Sequence, residues 1–269
     1  YANTDWCDFY FKDAAIRHSH NLNVTGGSDK FNYYVGLGYT YQEGLLDQVD
    51  DNLSKYNVNT KLQIKANDWL KFNFNNNITL NIIKRPMPNQ LIFYARVGQS
   101  IPNESQYNDA TELRNMKESH YVQNRISDAM SFSATVTPLK GWDIVGEMKV
   151  RFDVEDNSFK RGFPTYEKPD GRLVMNSGTD QGYAYPGMSY LNSKWGSYTH
   201  GNAFNYYLSP NVSSSYTHQW GSHFFKAMAG FQMELQENSS DYTYKDGLLT
   251  DDIYSFASAN GMLYAGDDR

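Results

Sequence analysis

Apolar and polar side chains alternate with a period of two along much of the chain. The segment 31–42 shows it most cleanly. Phe31, Tyr33, Val35, Leu37, Tyr39 and Tyr41 fall on one face, and Asn32, Tyr34, Gly36, Gly38, Thr40 and Gln42 on the other. Successive strand side chains point to opposite sides of a sheet, so this segment predicts a strand with an aromatic face and a polar face. Just before it, Leu22 and Val24 alternate with Asn21, Asn23 and Thr25. Gly26-Gly27-Ser28-Asp29 then reads as a hairpin turn, because glycine reaches positive φ without strain.

The unit repeats. Tyr56, Val58, Thr60, Leu62 and Ile64 lead through Lys65-Ala66-Asn67-Asp68 to Leu70, Phe72, Phe74, Ile78, Leu80 and Ile82, with Asn76 breaking the apolar face. Met130, Phe132, Ala134 and Val136 lead through Pro138-Leu139-Lys140-Gly141 to Trp142, Ile144, Met148, Val150, Phe152 and Val154. Phe204, Tyr206, Leu208, Val212 and Tyr216 lead through Thr217-His218-Gln219-Trp220-Gly221 to Phe225, Ala227, Ala229, Phe231, Met233 and Leu235. About eight strands in four hairpins are therefore predicted, and no segment of comparable length reads as a helix.

Connection lengths fall into two classes. Within a hairpin they are a few residues; between hairpins they span roughly 43–54, 83–124, 155–202 and 238 onward. An up-and-down sheet puts the two classes at opposite ends, as in outer-membrane barrels with short periplasmic turns and longer outer loops. Trp69, Trp142 and Trp220 all lie beside short turns, where a membrane-interface aromatic belt would place them. Tryptophans capping a soluble core beside hairpin turns would give the same pattern.

Composition narrows the choice. The 269 residues include 22 Tyr, 15 Phe and 5 Trp, yet the chain is hydrophilic on average. Two explanations fit: a carbohydrate-binding β protein, or a membrane barrel with aromatic girdles and a wet interior. A net charge of −6 argues against nucleic acid as a partner. No run of about 18 apolar residues occurs, which excludes a transmembrane helix but not a barrel. The strands reach the roughly 9–11 residues that a tilted strand needs to cross a bilayer. The chain opens without a basic, then apolar, leader, so its true N-terminus is expected elsewhere. The single Cys7 rules out an internal disulfide framework.

Candidate chemistry is sparse. His18 and His20 share a strand face but lack an obvious third metal ligand. Asp50-Asp51 and Asp251-Asp252 lack the spacing of a calcium loop. No nucleophile elbow, P-loop or zinc-protease motif is present, and no carboxylate pair is fixed for glycoside cleavage. No enzyme, resident metal or cofactor is expected. Tyr183, Tyr185, Tyr190, Trp195 and Tyr198 lie in a predicted long loop rich in Gly and Ser, suited to stacking on sugars or holding a peptide. Self-packing of that loop is the competing reading. Lys84-Arg85-Pro86-Met87-Pro88 reads as a strand stop.

Several stretches carry a resemblance. Asn3-Thr4-Asp5-Trp6, His20 to Lys30 (HNLNVTGGSDK), Asn32-Tyr33-Tyr34-Val35-Gly36-Leu37-Gly38-Tyr39 and Gln42-Glu43-Gly44 resemble the SusC/RagA-type TonB-dependent transporters of Bacteroidetes. Tyr56-Asn57-Val58-Asn59 and Asp68-Trp69-Leu70 do the same. The resemblance implies a plugged barrel of about 22 strands, set in outer-membrane lipid. It also implies a SusD-like surface lipoprotein as lid, TonB as energy source, and a glycan or peptide as cargo. Residues 1–269 are then expected to form one partial barrel domain without the plug and TonB-contacting segment. The fold expectation is all-β: an antiparallel up-and-down transmembrane β-barrel segment, part of a larger barrel. The alternative function is a secreted, non-transport glycan-binding β protein.

Overall fold

A computed structural model of the chain describes residue 8 and residues 11–47, 49–86, 119–161, 165–167, 173–175, 196–248 and 255–268. Its strands are β1 (Arg17–Gly27), β2 (Phe31–Glu43), β3 (Asn52–Asn67), β4 (Leu70–Pro86), β5 (His120–Leu139) and β6 (Trp142–Arg161). They continue with β7 (Thr165–Glu167), β8 (Leu173–Met175), β9 (Ser197–Trp220), β10 (His223–Gln232), β11 (Leu235–Asp246) and β12 (Leu263–Asp268). All but β7 and β8 form one ten-stranded antiparallel sheet in the order β1-β2-β3-β4-β5-β6-β9-β11-β12, with β10 also on β9. The sheet is open, with β1 and β12 at its edges.

The four predicted hairpins are present, with turns at 28–30, 68–69, 140–141 and 221–222. Gly141 has φ +84° and Gly221 φ +57°, backbone positions that β-branched or bulky residues avoid. β10 and β11 are one strand in register: Gln232 faces Asn211 and Leu235 faces Leu208. The ladder falters between them because Pro210 has no N–H to offer, although its carbonyl still accepts from Met233 N at 3.1 Å.

Several strands run well past the predicted limits. β6 continues to Arg161, β9 starts at Ser197, and β11 runs to Asp246 through the stretch from 238 that reads as loop. In the extensions the apolar parity turns polar while the ladder persists. Asn124, Asp156, Asn202 and Asp241 form a cross-strand row on the same face as Ile126, Val154 and Phe204. β12 and the small β7–β8 hairpin add to the predicted set.

This sheet has no hydrophobic core of ordinary size. The buried apolar residues among those described are Tyr244, Leu248 and Ala259, whereas Phe132, Val212 and Phe231 are 48%, 55% and 71% exposed. A soluble sandwich would cover its apolar face with a second sheet. Here a single layer leaves that face open across every strand, the arrangement of a barrel wall immersed in lipid. On β6 the apolar positions run from Ile144 to Val154, a rise of about 34 Å along the strand and about 26 Å at a tilt of about 40°. That matches a hydrocarbon layer.

Candidate functional site

On the polar face, short side chains form rungs across the strands. Tyr34 Oη donates to Asn23 Oδ1 at 2.8 Å, its ring lying over Gly36, where a Cβ would sit 2.7 Å from the hydroxyl. Thr79 donates to Asn57 at 3.0 Å, Asn73 to Ser133 at 3.2 Å and Asn75 to Ser131 at 3.1 Å. Asn and Ser satisfy one another here and keep further donors and acceptors for a solute.

Charge enters this face near its centre. Asp153, 6% exposed, sits between Arg151 Nε at 3.2 Å and Arg125 at 3.8 Å, while Lys149 pairs with Glu147 at 3.2 Å. Arg151 also lies 5.6 Å from the Tyr207 ring centre. A shallow concavity of about 410 Å³ opens beside them, lined by Asn59, Lys61, Asn75, Asn77, Lys149, Arg151 and others. This surface can hold polar or anionic groups through hydrogen bonds and cations.

The apolar face carries aromatic pairs: Tyr39–Tyr56 at 5.0 Å, Phe72–Phe132 at 5.9 Å and Phe152–Tyr206 at 5.3 Å. At its short-turn end stand Trp69, Trp142 and Trp220. Trp142 Nε1 donates to Ser214 at 2.9 Å, and Trp220 lies 4.3 Å from His218, with more than half of its surface exposed. His18 and His20, 5.2 Å apart, stack at the opposite end on Tyr39 and Tyr41. Among the described residues no group of three metal-ligating side chains converges.

Tyr183, Tyr185, Tyr190 and Trp195 lie outside the described residues, as do Asp251 and Asp252. Tyr198 is described, and it is a strand residue rather than a loop residue: β9 begins one position earlier, and the ring meets Phe256 edge-on at 4.9 Å. Tyr198 lines a second cavity, of about 380 Å³, with Asp50, Lys84, Arg85, His120, Tyr121, Val122, Ser158 and Lys160. Sequence reasoning missed this site. Its cations come from β4, β5 and β6, and Lys84-Arg85 reads locally as nothing more than a strand end. The cavity lies at the long-connection end of these strands, where Lys84 pairs with Val122 two residues past Ile82. Burial first, then the Lys160 ammonium, holds the His120 imidazole below its ordinary value; Asp50 opposes the fall and Lys84 adds to it. Burial, then Asp156, raises the Tyr198 phenol.

A single-layer antiparallel wall with an open apolar face and a polar opposite face defines a transmembrane β-barrel segment. Comparison with known proteins sharpens the class. No family model matches the chain. A TonB-dependent receptor of Formosa agariphila is 29% identical over 109 residues, 40% of this chain and 10% of the relative. The TonB-dependent receptor SusC of Bacteroides thetaiotaomicron is 35% identical over 75 residues, 28% of this chain and 7% of SusC. A solved structure of the RagAB peptide transporter superposes on 98% of this chain with a TM-score of 0.70 and 14% identity, using 30% of that chain. The RagAB peptide importer in its closed-closed state gives 0.69. The chain thus spans a tenth or less of the two curated relatives and under a third of the solved transporter chain. It is similar to part of the barrel wall of SusC/RagA-type TonB-dependent transporters.

Proposed function

We propose that this chain is wall for a TonB-dependent importer that carries a nutrient, an oligosaccharide or a peptide, through the outer membrane. The observation that carries the reading is the segregation of one continuous sheet into an exposed apolar face and an Asn-, Ser- and Lys-bearing face. The apolar face meets lipid and the polar face lines the lumen, where amide and hydroxyl rungs offer exchangeable hydrogen bonds to a solute. Further strands of the same barrel continue from the edges at β1 and β12, because a lipid-immersed sheet must close its ladders. Residues 1–269 act as one domain within that barrel. A surface lipoprotein of the SusD type covers the outer mouth, and TonB supplies energy through a plug.

The long connections face outward and the short turns face the periplasm, with Trp69, Trp142 and Trp220 at the inner headgroup level. Tyr183, Tyr185, Tyr190, Trp195 and Tyr198 contribute aromatic surface toward cargo near the outer mouth. Transport, not catalysis, is the activity. Uptake of a panel of labelled oligosaccharides and peptides by cells with and without the intact transporter, in tonB-positive and tonB-negative backgrounds, tests it. The expected result is one class of cargo lost equally on removing either the transporter or TonB. Uptake indifferent to both would refute the proposal.

A further inference from the structure

The concavity on the polar face is shaped by side-chain length. Register places Lys61, Asn75, Ser131 and Lys149 side by side on β3, β4, β5 and β6, with Asn59, Asn77, Ala129 and Arg151 in the next row. Short side chains on β4 and β5 thus make a floor between two rims of long cations. Lys61 stands on one rim, Lys149 and Arg151 on the other. The rims are three strand spacings apart, about 14 Å, and the space between them is about 410 Å³. Among the described residues no carboxylate lines it.

The rims are not equivalent. Lys149 already meets Glu147 at 3.2 Å and Arg151 meets Asp153 at 3.2 Å, so these two offer only the donors left over. Lys61 forms no ion pair among the described residues. Its ammonium lies 5.8 Å from the Tyr34 ring centre, a contact that leaves its N–H donors for a ligand. On the floor, Asn75 gives one N–H to Ser131 at 3.1 Å and keeps its carbonyl and a second N–H. Asn59 and Asn77 make no side-chain hydrogen bond among the described residues.

This pattern selects a ligand. A carboxylate answers Lys61, and hydroxyls answer the amides, which both donate and accept. Met130 and Val150 border the space, but their side chains belong to the opposite parity. The one apolar side chain of the floor's own parity is the methyl of Ala129, so a peptide's apolar side chains find no niche. A sugar acid carries a carboxylate and several hydroxyls on one ring. We propose that this basin binds the uronate ring of an acidic oligosaccharide, Lys61 holding its carboxylate and Asn59, Asn75 and Asn77 its hydroxyls. The inference rests on the reading of the polar face as the lumen lining of an importer, and it narrows the cargo.

The test is equilibrium binding to the intact transporter in detergent of galacturonate, glucuronate and mannuronate oligomers, each beside its methyl ester. Esterification removes the charge and keeps the ring, the length and the hydroxyls. At least one acid should bind about tenfold or more tighter than its ester, and the preference should shrink as salt rises. Lys61→Gln should bring the acid down to the level of the ester. Glu147→Gln, which frees Lys149, should tighten binding of the acid alone; it keeps the test decisive if the Lys61 variant misassembles. Acids and esters bound equally across the panel, or a Glu147→Gln variant that binds no acid more tightly, would overturn the proposal. So would a Lys61→Gln variant that weakens acid and ester alike, because Lys61 would then serve packing rather than charge recognition. A glutamate-bearing peptide that shows the Lys61 dependence when no uronate does would sink the sugar assignment. Uptake measured beside binding separates the two readings. Import through TonB without a preference for the acid indicts this inference alone, whereas uptake indifferent to the transporter indicts the importer.

Discussion

Asn76 Nδ2 donates a 2.5 Å hydrogen bond to Asp128 Oδ1 on the apolar face of the wall. Asn76 stands between Thr60 and Met130, and Asp128 between Ile78 and Phe152. A carboxylate among lipid-facing side chains is costly, and its amide partner lowers the cost. Removing the partner alone is therefore worse than removing both. Asn76→Leu should destabilise the barrel by about 1–3 kcal/mol, while Asn76→Leu/Asp128→Leu should recover that loss or exceed wild-type stability. Loss of heat-modifiable mobility of the intact transporter in detergent measures it; a double variant weaker than the single would contradict the reading.

The β5–β6 turn depends on one glycine. Gly141 combines φ +84° with a backbone approach that leaves a Cβ no room against the Thr217 carbonyl, and its own carbonyl accepts from Thr217 N at 2.7 Å. Gly221 has φ +57° and open space around it. Gly141→Ala should cost about 1–3 kcal/mol and Gly221→Ala distinctly less. Equal effects on the melting temperature would show that positive φ alone matters.

Asp153 organises the charged part of the lumen. Its two guanidinium neighbours are about half exposed, so water already screens them. Asp153→Ala should cost about 1–3 kcal/mol, less than a fully buried pair would, and should leave Arg125 and Arg151 to repel. Asp153→Ala/Arg151→Ala should be closer to wild type. A melting series over these variants decides it, additive losses being the contrary result.

His120 offers a pH readout. Its folded-state value is depressed, so its contribution to stability is present above the ordinary histidine value and is lost as pH falls through that value toward the folded one. Lys160→Met should raise the His120 value and Asp50→Asn should lower it further. Carbon-13 resonances of labelled histidine in the transporter report both shifts; opposite signs would mean that the cavity charges are misassigned.

Much of this wall was legible because lipid and lumen impose opposite chemistry on alternate residues. Phe31 to Tyr41 and Ile144 to Val154 therefore announced their strands, and Asn76 announced itself as a break. The strand ends were not legible. At Asn124, Asp156, Asn202 and Asp241 the outer face leaves the apolar layer, and alternation stops marking a ladder that hydrogen bonding continues. β12 is too short and too polar to show a period. The partnership of Asn76 with Asp128 spans 52 residues, and the cavity of Lys84, Arg85, His120 and Lys160 is assembled by register. Only folding brings those residues together.

The central claim is that even-numbered positions of β6 face lipid and odd-numbered positions face the lumen. Nitroxide labels placed singly at each residue from 144 to 155 of the intact transporter in liposomes test it directly. Collision rates with oxygen, which partitions into lipid, should peak at Ile144, Met148, Val150, Phe152 and Val154. Rates with a water-soluble nickel chelate should peak at Val145, Glu147, Lys149, Arg151 and Glu155. A flat profile, or oxygen maxima at the odd positions, would contradict the account.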